Sequence, residues 1–194
     1  MGKSRLEAFS DGVFAIIITI MVLELRVPHG TTLGALAPLV PVFLSYVLSY
    51  VYLGIYWNNH HHLLHTVKKV TGPILWANLY LLFWLSLIPF VTGWMGENHF
   101  APMTTALYAL VLLMCGMAYR VLQSRIIKSQ GPESFLKHAI GTRWKEKVSP
   151  LAYLAAIPVA FWSAWVSQAI IVFVALMWLV PDSRIEKALA STET

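Results

Sequence analysis

The densest group of metal-capable side chains in the chain is Asn58, Asn59, His60, His61, His62 and His65. His61 and His65 stand four apart, so on a helix they share a face and are spaced to hold one metal ion. A membrane metalloenzyme of the di-iron type needs histidine boxes in several segments, however, and the rest of the seven histidines, His29, His99 and His138, are scattered. The reading is therefore not an enzyme, with no metal and no other cofactor. A second polar group surrounds the first apolar run: Ser10 and Asp11 lie just before Gly12, and Glu24 just after Leu23. Ionised groups at the ends of an apolar segment are expensive in a bilayer and must face protein or water.

The elements that position these residues follow from composition. Hydrophobic residues make up 58% of the 194, charged residues 12%, and mean hydropathy is +0.66. A membrane is the fitting solvent for such a chain. The formal charge of +5 admits a nucleic-acid partner or an anionic membrane surface, and the apolar bulk decides for membrane lipids and against nucleic acid. The single cysteine, Cys115, rules out an internal disulfide and reads as a small packed residue.

Charge-free stretches, measured against the roughly 20 residues that cross a bilayer core, place spans at 4–27, 34–64, 71–95, 101–126, 148–164 and 167–182. The last two come from one stretch, Val148 to Pro181, which is too long for one ordinary helix; Ser163, Ser167 and Gln168 mark a tight turn at its middle. The distribution of bases also requires two crossings there. Lys3 and Arg5 precede the first span, Lys68 and Lys69 follow the second, seven bases from Arg120 to Lys147 lie between the fourth and fifth, and Arg184 and Lys187 follow the sixth. Arg26 is the one base of the 14 on the opposite side. Bases collect in cytoplasmic loops, so both termini are cytoplasmic and the protein is a multi-pass protein of the cell (inner or plasma) membrane. A cleaved signal peptide does not fit, because Glu7 and Asp11 intrude on the basic region and Glu24, Arg26 and Pro28 follow the apolar run. Phe135, Leu136, Ile140 and Trp144 recur among bases at a spacing that suits either an interfacial helix on anionic headgroups or a solvated loop.

On the first helix Phe9, Gly12, Val13, Ile16, Thr19, Ile20 and Leu23 fall on one face, with Asp11 roughly opposite. A helix polar on one side and apolar on the other belongs inside a bundle.

Arg5, Phe9, Ser10 and Asp11 spell R-x-x-x-F-S-D, continued by Gly12, Val13, Phe14, Ala15, Ile16 and Thr19. Trp57 and His60 form W-x-x-H in the second span, and Asn78 precedes Leu87, Ile88, Pro89 and Phe90 in the third. With these motifs the chain resembles the lysosomal potassium channel family, transmembrane protein 175, in sequence through residue 95 and in topology beyond. The resemblance implies an all-α membrane fold of six helices per repeat and four repeats around a central pore lined by the first helix. One repeat fits here, which implies a homotetramer. The T-V-G-Y-G filter of ordinary potassium channels is absent, as the family leads one to expect. By position, Ile16 matches the narrow apolar ring, Ile20 and Leu23 the rings above it, and Thr19 a hydroxyl layer. Arg5, Phe9, Ser10, Asp11, Trp57, His60 and Asn78 match a buried structural network. The expected function is a potassium-selective leak channel with K⁺ as the permeant ion. A proton pathway through Asp11 and His60, and a non-conducting sensor or scaffold, remain open beside it.

Overall fold

The computed structural model describes residues 2–131 and 144–179, and within them all regular structure is helical. Helix α1 (Lys3–Met21) ends in a 3₁₀ turn, Val22–Glu24, and a second 3₁₀ stretch, Leu33–Leu39, leads into α2 (Val40–His65). Then follow α3 (Gly72–Ser86), α4 (Ile88–Glu97), α5 (Pro102–Gln130), α6 (Trp144–Trp162) and α7 (Ala164–Leu179). Counting α3 with α4, six helical spans result among the described residues. Four of them are long and apolar enough to cross a membrane by length and composition, while α7 is shorter. Helices are the form that satisfies every backbone N–H and C=O where lipid offers no partner.

Proline sets several starts. Pro41, Pro73, Pro89 and Pro102 each occupy the first turn of a helix, where the missing N–H costs nothing and φ is already helical. Pro89 also divides the third span. The expected span 71–95 is interrupted at Leu87, because a proline can neither donate to Leu85 nor fit its ring against that carbonyl. The ladder tightens to Leu87 N–Trp84 O at 3.2 Å and resumes with Val91 N–Leu87 O at 3.2 Å.

The turn between the last two helices is the single residue Ser163. The Ser167 hydroxyl donates to Ala156 O at 2.8 Å, and Trp178 Nε1 donates to Ser149 Oγ at 2.8 Å. These bonds hold α6 and α7 as an antiparallel hairpin. Helix α1 packs on α2, α3 and α4, whereas the hairpin packs on α5 and, through α7, on α2.

Leu53, Ile74, Leu81, Leu85, Ile88, Met95, Leu112 and Cys115 form the fully buried centre. Close approach of α2 and α4 depends on Gly96, since a Cβ there would lie 2.7 Å from Val42 Cα; small residues at such a contact let helix backbones meet in a membrane. Trp84 Nε1 is buried without a hydrogen-bond partner among the described residues, but the hydroxyls at the centre of this core are paired. Ser49 Oγ lies 2.6 Å from Thr92 Oγ1 and 2.8 Å from Tyr108 OH, and Tyr52 OH donates to Ile171 O at 2.6 Å.

Two sets of contacts fix the ends of the bundle. Lys3 Nζ donates to His65 O at 2.7 Å and Gln130 Nε2 to Thr66 O at 2.8 Å, so the start of α1, the end of α2 and the end of α5 share one face. On the other face Arg26 pairs with Glu97 at 3.1 Å. The interfacial-helix expectation at Phe135, Leu136 and Ile140, the end of the sixth span, Arg184 and Lys187 lie outside the described residues.

Candidate pore-lining helix and its polar anchor

Helix α1 has two faces of opposite character. Leu6, Ser10, Phe14, Ile17 and Met21 recur at spacings of four and three and are buried against the neighbouring helices. On the other side Phe9 is 49% exposed, Ile16 62%, Ile20 40% and Leu23 76%. Gly12 and Thr19 share that exposed side and Val13 sits at its edge. The stripe read from the sequence is thus the face that the rest of the chain leaves uncovered.

Thr19 Oγ1 donates to Ala15 O at 2.9 Å or Ile16 O at 3.0 Å. With its proton directed back into the helix, the hydroxyl presents oxygen lone pairs to whatever lies outside, the arrangement that suits a cation. Leu23 departs from the expected register. It sits in the 3₁₀ turn after α1, where each residue advances about 120° instead of about 100°, so it is rotated by roughly 40° relative to an unbroken α-helix.

The polar motif residues divide into two groups rather than one buried network. In the first, Asn78 Nδ2 donates to Ser10 Oγ at 3.0 Å, Ser10 Oγ donates to Leu6 O at 2.9 Å, and His60 Nε2 lies 2.7 Å from Asn78 Oδ1. Because the Asn78 oxygen can only accept, the proton of this pair belongs to His60 Nε2. All three side chains are buried, and Phe14 closes over the imidazole with ring centroids 5.5 Å apart. This group pins the middle of α1's inner face to α2 and α3. In the second group Trp57 Nε1 donates to Asp11 Oδ1 at 2.9 Å, at the edge of the bundle where Trp57 remains 44% exposed. Asp11 therefore meets Trp57 and not His60. Arg5 and Phe9 belong to neither group; both are exposed, and among the described residues Arg5 has no hydrogen-bond partner. The physical reason is position: one residue before or after the buried stripe carries a side chain round to the uncovered face.

The remaining histidines form a ring cluster at the end of α2. His61 lies 5.7 Å from His62 and 6.4 Å from His65 between centroids. Among the described residues no three His, Cys, Asp or Glu side chains are placed to hold a metal ion. Two features escaped the sequence reading. Glu24 lies over Gly93, where a Cβ would stand 3.1 Å from its carboxylate oxygen, and Arg26 pairs across to Glu97. A glycine opposite an acid at the same membrane depth was the available signal for the first.

The family described as "Endosomal/lysosomal potassium channel TMEM175" matches residues 5–89. Over 97% of this chain and 98% of the other, the sequence is 54% identical to a potassium channel of Chryseobacterium sp. (strain P1-3). The crystal structure of a lysosomal potassium-selective channel TMEM175 homolog from Chamaesiphon minutus superposes with a TM-score of 0.78 at 28% identity, covering 92% of this chain and 96% of that one. The endosomal/lysosomal proton channel TMEM175 of Gallus gallus is 36% identical over 46% of this chain, which corresponds to 20% of that protein.

Proposed function

The chain belongs to the endosomal/lysosomal potassium channel TMEM175 family, and from that premise we propose that it is a leak-type potassium channel. Its pore forms where four copies bring α1 together. Membership in a family of ion channels sets aside the enzyme reading of the histidine cluster.

The observation that carries the proposal is the uncovered face of α1. Were that face turned to lipid, the exposed Arg5 at its end would stand with it at the membrane boundary, at a cost that favours protein or water as the neighbour. Four copies supply both: protein beside the stripe and an aqueous path along the axis. Ile16, the most exposed isoleucine of α1, forms the neck, with Thr19 one turn beyond, then Ile20 and Leu23. An apolar ring expels water and raises the barrier to a hydrated ion. Na⁺ holds its water more tightly than K⁺, so partial dehydration costs Na⁺ more, and the Thr19 oxygens replace part of the shed water. The buried Ser10–Asn78–His60 bonds hold the helix in register and do not conduct. Orientation follows the bases, with termini cytoplasmic in the cell membrane.

A relative named as a proton channel supports a second reading, proton passage. Against a relay from Asp11 to His60 stands the absence of a bond between them: Asp11 receives Trp57, and His60 is closed in by Asn78 and Phe14.

The test uses Ile16→Cys in liposomes. Four thiols meeting at the axis bind a soft cation such as Cd²⁺, so micromolar Cd²⁺ should block K⁺ flux in Ile16→Cys and leave Ile17→Cys untouched. Equal sensitivity of the two would remove Ile16 from the neck.

A further inference from the structure

A cavity of about 70 Å³ lies between α2, α5, α6 and α7, walled by Tyr52, Tyr56, Gly116, Tyr153 and Trp178, with Arg120 and Glu146 at its rim. That is well above the roughly 15 Å³ that one water requires, yet a buried water also needs two to four polar partners. Apart from the Tyr56 hydroxyl, the polar groups of these named walls are spent on protein atoms. Tyr52 OH donates to Ile171 O, Tyr153 OH to Tyr52 OH at 3.2 Å, and Trp178 Nε1 to Ser149 Oγ. What faces the space is ring surface and aliphatic carbon, which an apolar occupant fills better than water.

From Arg120 the surface continues into a shallow cleft formed by Arg120, Val121, Ser124, Arg125 and Lys128. Arg120, Ser124 and Lys128 recur every four residues along the outer face of α5, with Arg125 beside them, while Leu122 and Ile126 turn inward. The stripe from 120 to 128 is about 12 Å long at 1.5 Å per residue, enough to cross the roughly 5–8 Å of one headgroup layer. Among the described residues none of the three bases has an acidic partner. Glu146 on the cavity rim accepts from Gln123 Nε2 at 3.4 Å.

An apolar slot that opens onto three cations with no acidic partner among the described residues fits an amphiphile with an anionic head. We propose that this site holds an anionic phospholipid of the leaflet at the Lys3, His65 and Gln130 face, its acyl chain against the tyrosine-lined slot and its phosphate on Arg120, Arg125 and Lys128. Basic pockets between transmembrane helices on the cytoplasmic side are the places where such headgroups bind. The site stands on the side of α5 that carries the α6–α7 hairpin, away from α1, so it does not depend on which residues line the pore.

The whole protein, purified in mild detergent and offered equal phosphatidylglycerol and phosphatidylcholine, should retain phosphatidylglycerol preferentially by native mass spectrometry. Each base removed from the set Arg120→Gln, Arg125→Gln and Lys128→Gln should lower that retention roughly fivefold, until the two lipids bind alike. Gly116→Val, whose added carbon lies 3.7 Å from Tyr56 OH, should lower retention of both lipids. Equal retention of the two lipids by the unaltered protein would overturn the proposal, as would an undiminished preference in the triple variant. Displacement of the lipid by equimolar glycerol phosphate would show an anion patch with no role for the slot and overturn it as well. Should Gly116→Val fail to fold, the triple variant, altered at exposed side chains, still decides.

Discussion

Ile16 and Ile17 are neighbours in sequence and opposites in surroundings, 62% and 3% exposed. Ile16→Asn should hydrate the neck, because an amide binds the water that isoleucine rings expel; Na⁺ flux should rise relative to K⁺ in a correctly assembled protein. Ile17→Asn places an amide among Phe14, Met21 and the facing helices, and should cost roughly 3 kcal/mol of stability, read as lower yield and lower melting temperature in detergent with selectivity unchanged. Selectivity loss in Ile17→Asn alone would exchange their roles. Asn78→Ala leaves His60 Nε2 buried without an acceptor and should cost about 1–3 kcal/mol, a drop that Asp11→Ala, at the half-exposed Trp57 contact, should not match. The motif put Ser10, His60 and Asn78 in one network with Arg5, Phe9, Asp11 and Trp57, and did not set the buried three apart. Arg5 and Phe9 were not separable from them, since motif spacing does not say where the neighbouring helices end and the uncovered face begins.

At the scale of elements, apolar length located the helices, and the serines of the last stretch announced the turn at Ser163. Two details were hidden. A continuous apolar run concealed the break at Leu87, although Pro89 carried the signal, and even spacing concealed the change of helix type that rotates Leu23. The α2–α4 contact was also invisible, because a glycine in an apolar run says nothing of what approaches it. Gly96 meets Val42 backbone, whereas Gly54, in the middle of α2, has nothing within 4 Å. Gly96→Val should therefore cost about 2–3 kcal/mol through forced separation of the helices, seen as a lower melting temperature, while Gly54→Ala should be neutral or slightly stabilising. Equal effects would mean that α2 and α4 do not approach at Gly96.

For the whole molecule, the contacts of Lys3 with His65 O and Gln130 with Thr66 O gather one set of helix ends, which the proposed orientation turns inward. Reporters inserted between Gln130 and Glu133 and fused after Glu193 should both be cytoplasmic; two extracellular reporters would invert the orientation, and disagreement between them would change the number of crossings. If four copies cover the stripe that one chain leaves open, as proposed, crosslinking in mild detergent should give a ladder that ends at the tetramer. The most direct test of the account is ion flux through the purified tetramer in liposomes under opposed K⁺ and Na⁺ gradients. K⁺ efflux should run well above Na⁺ influx, a difference lost when Ile16 is replaced by Asn; a folded tetramer that passes neither ion, or passes both alike, would rule out a potassium-selective pore on α1.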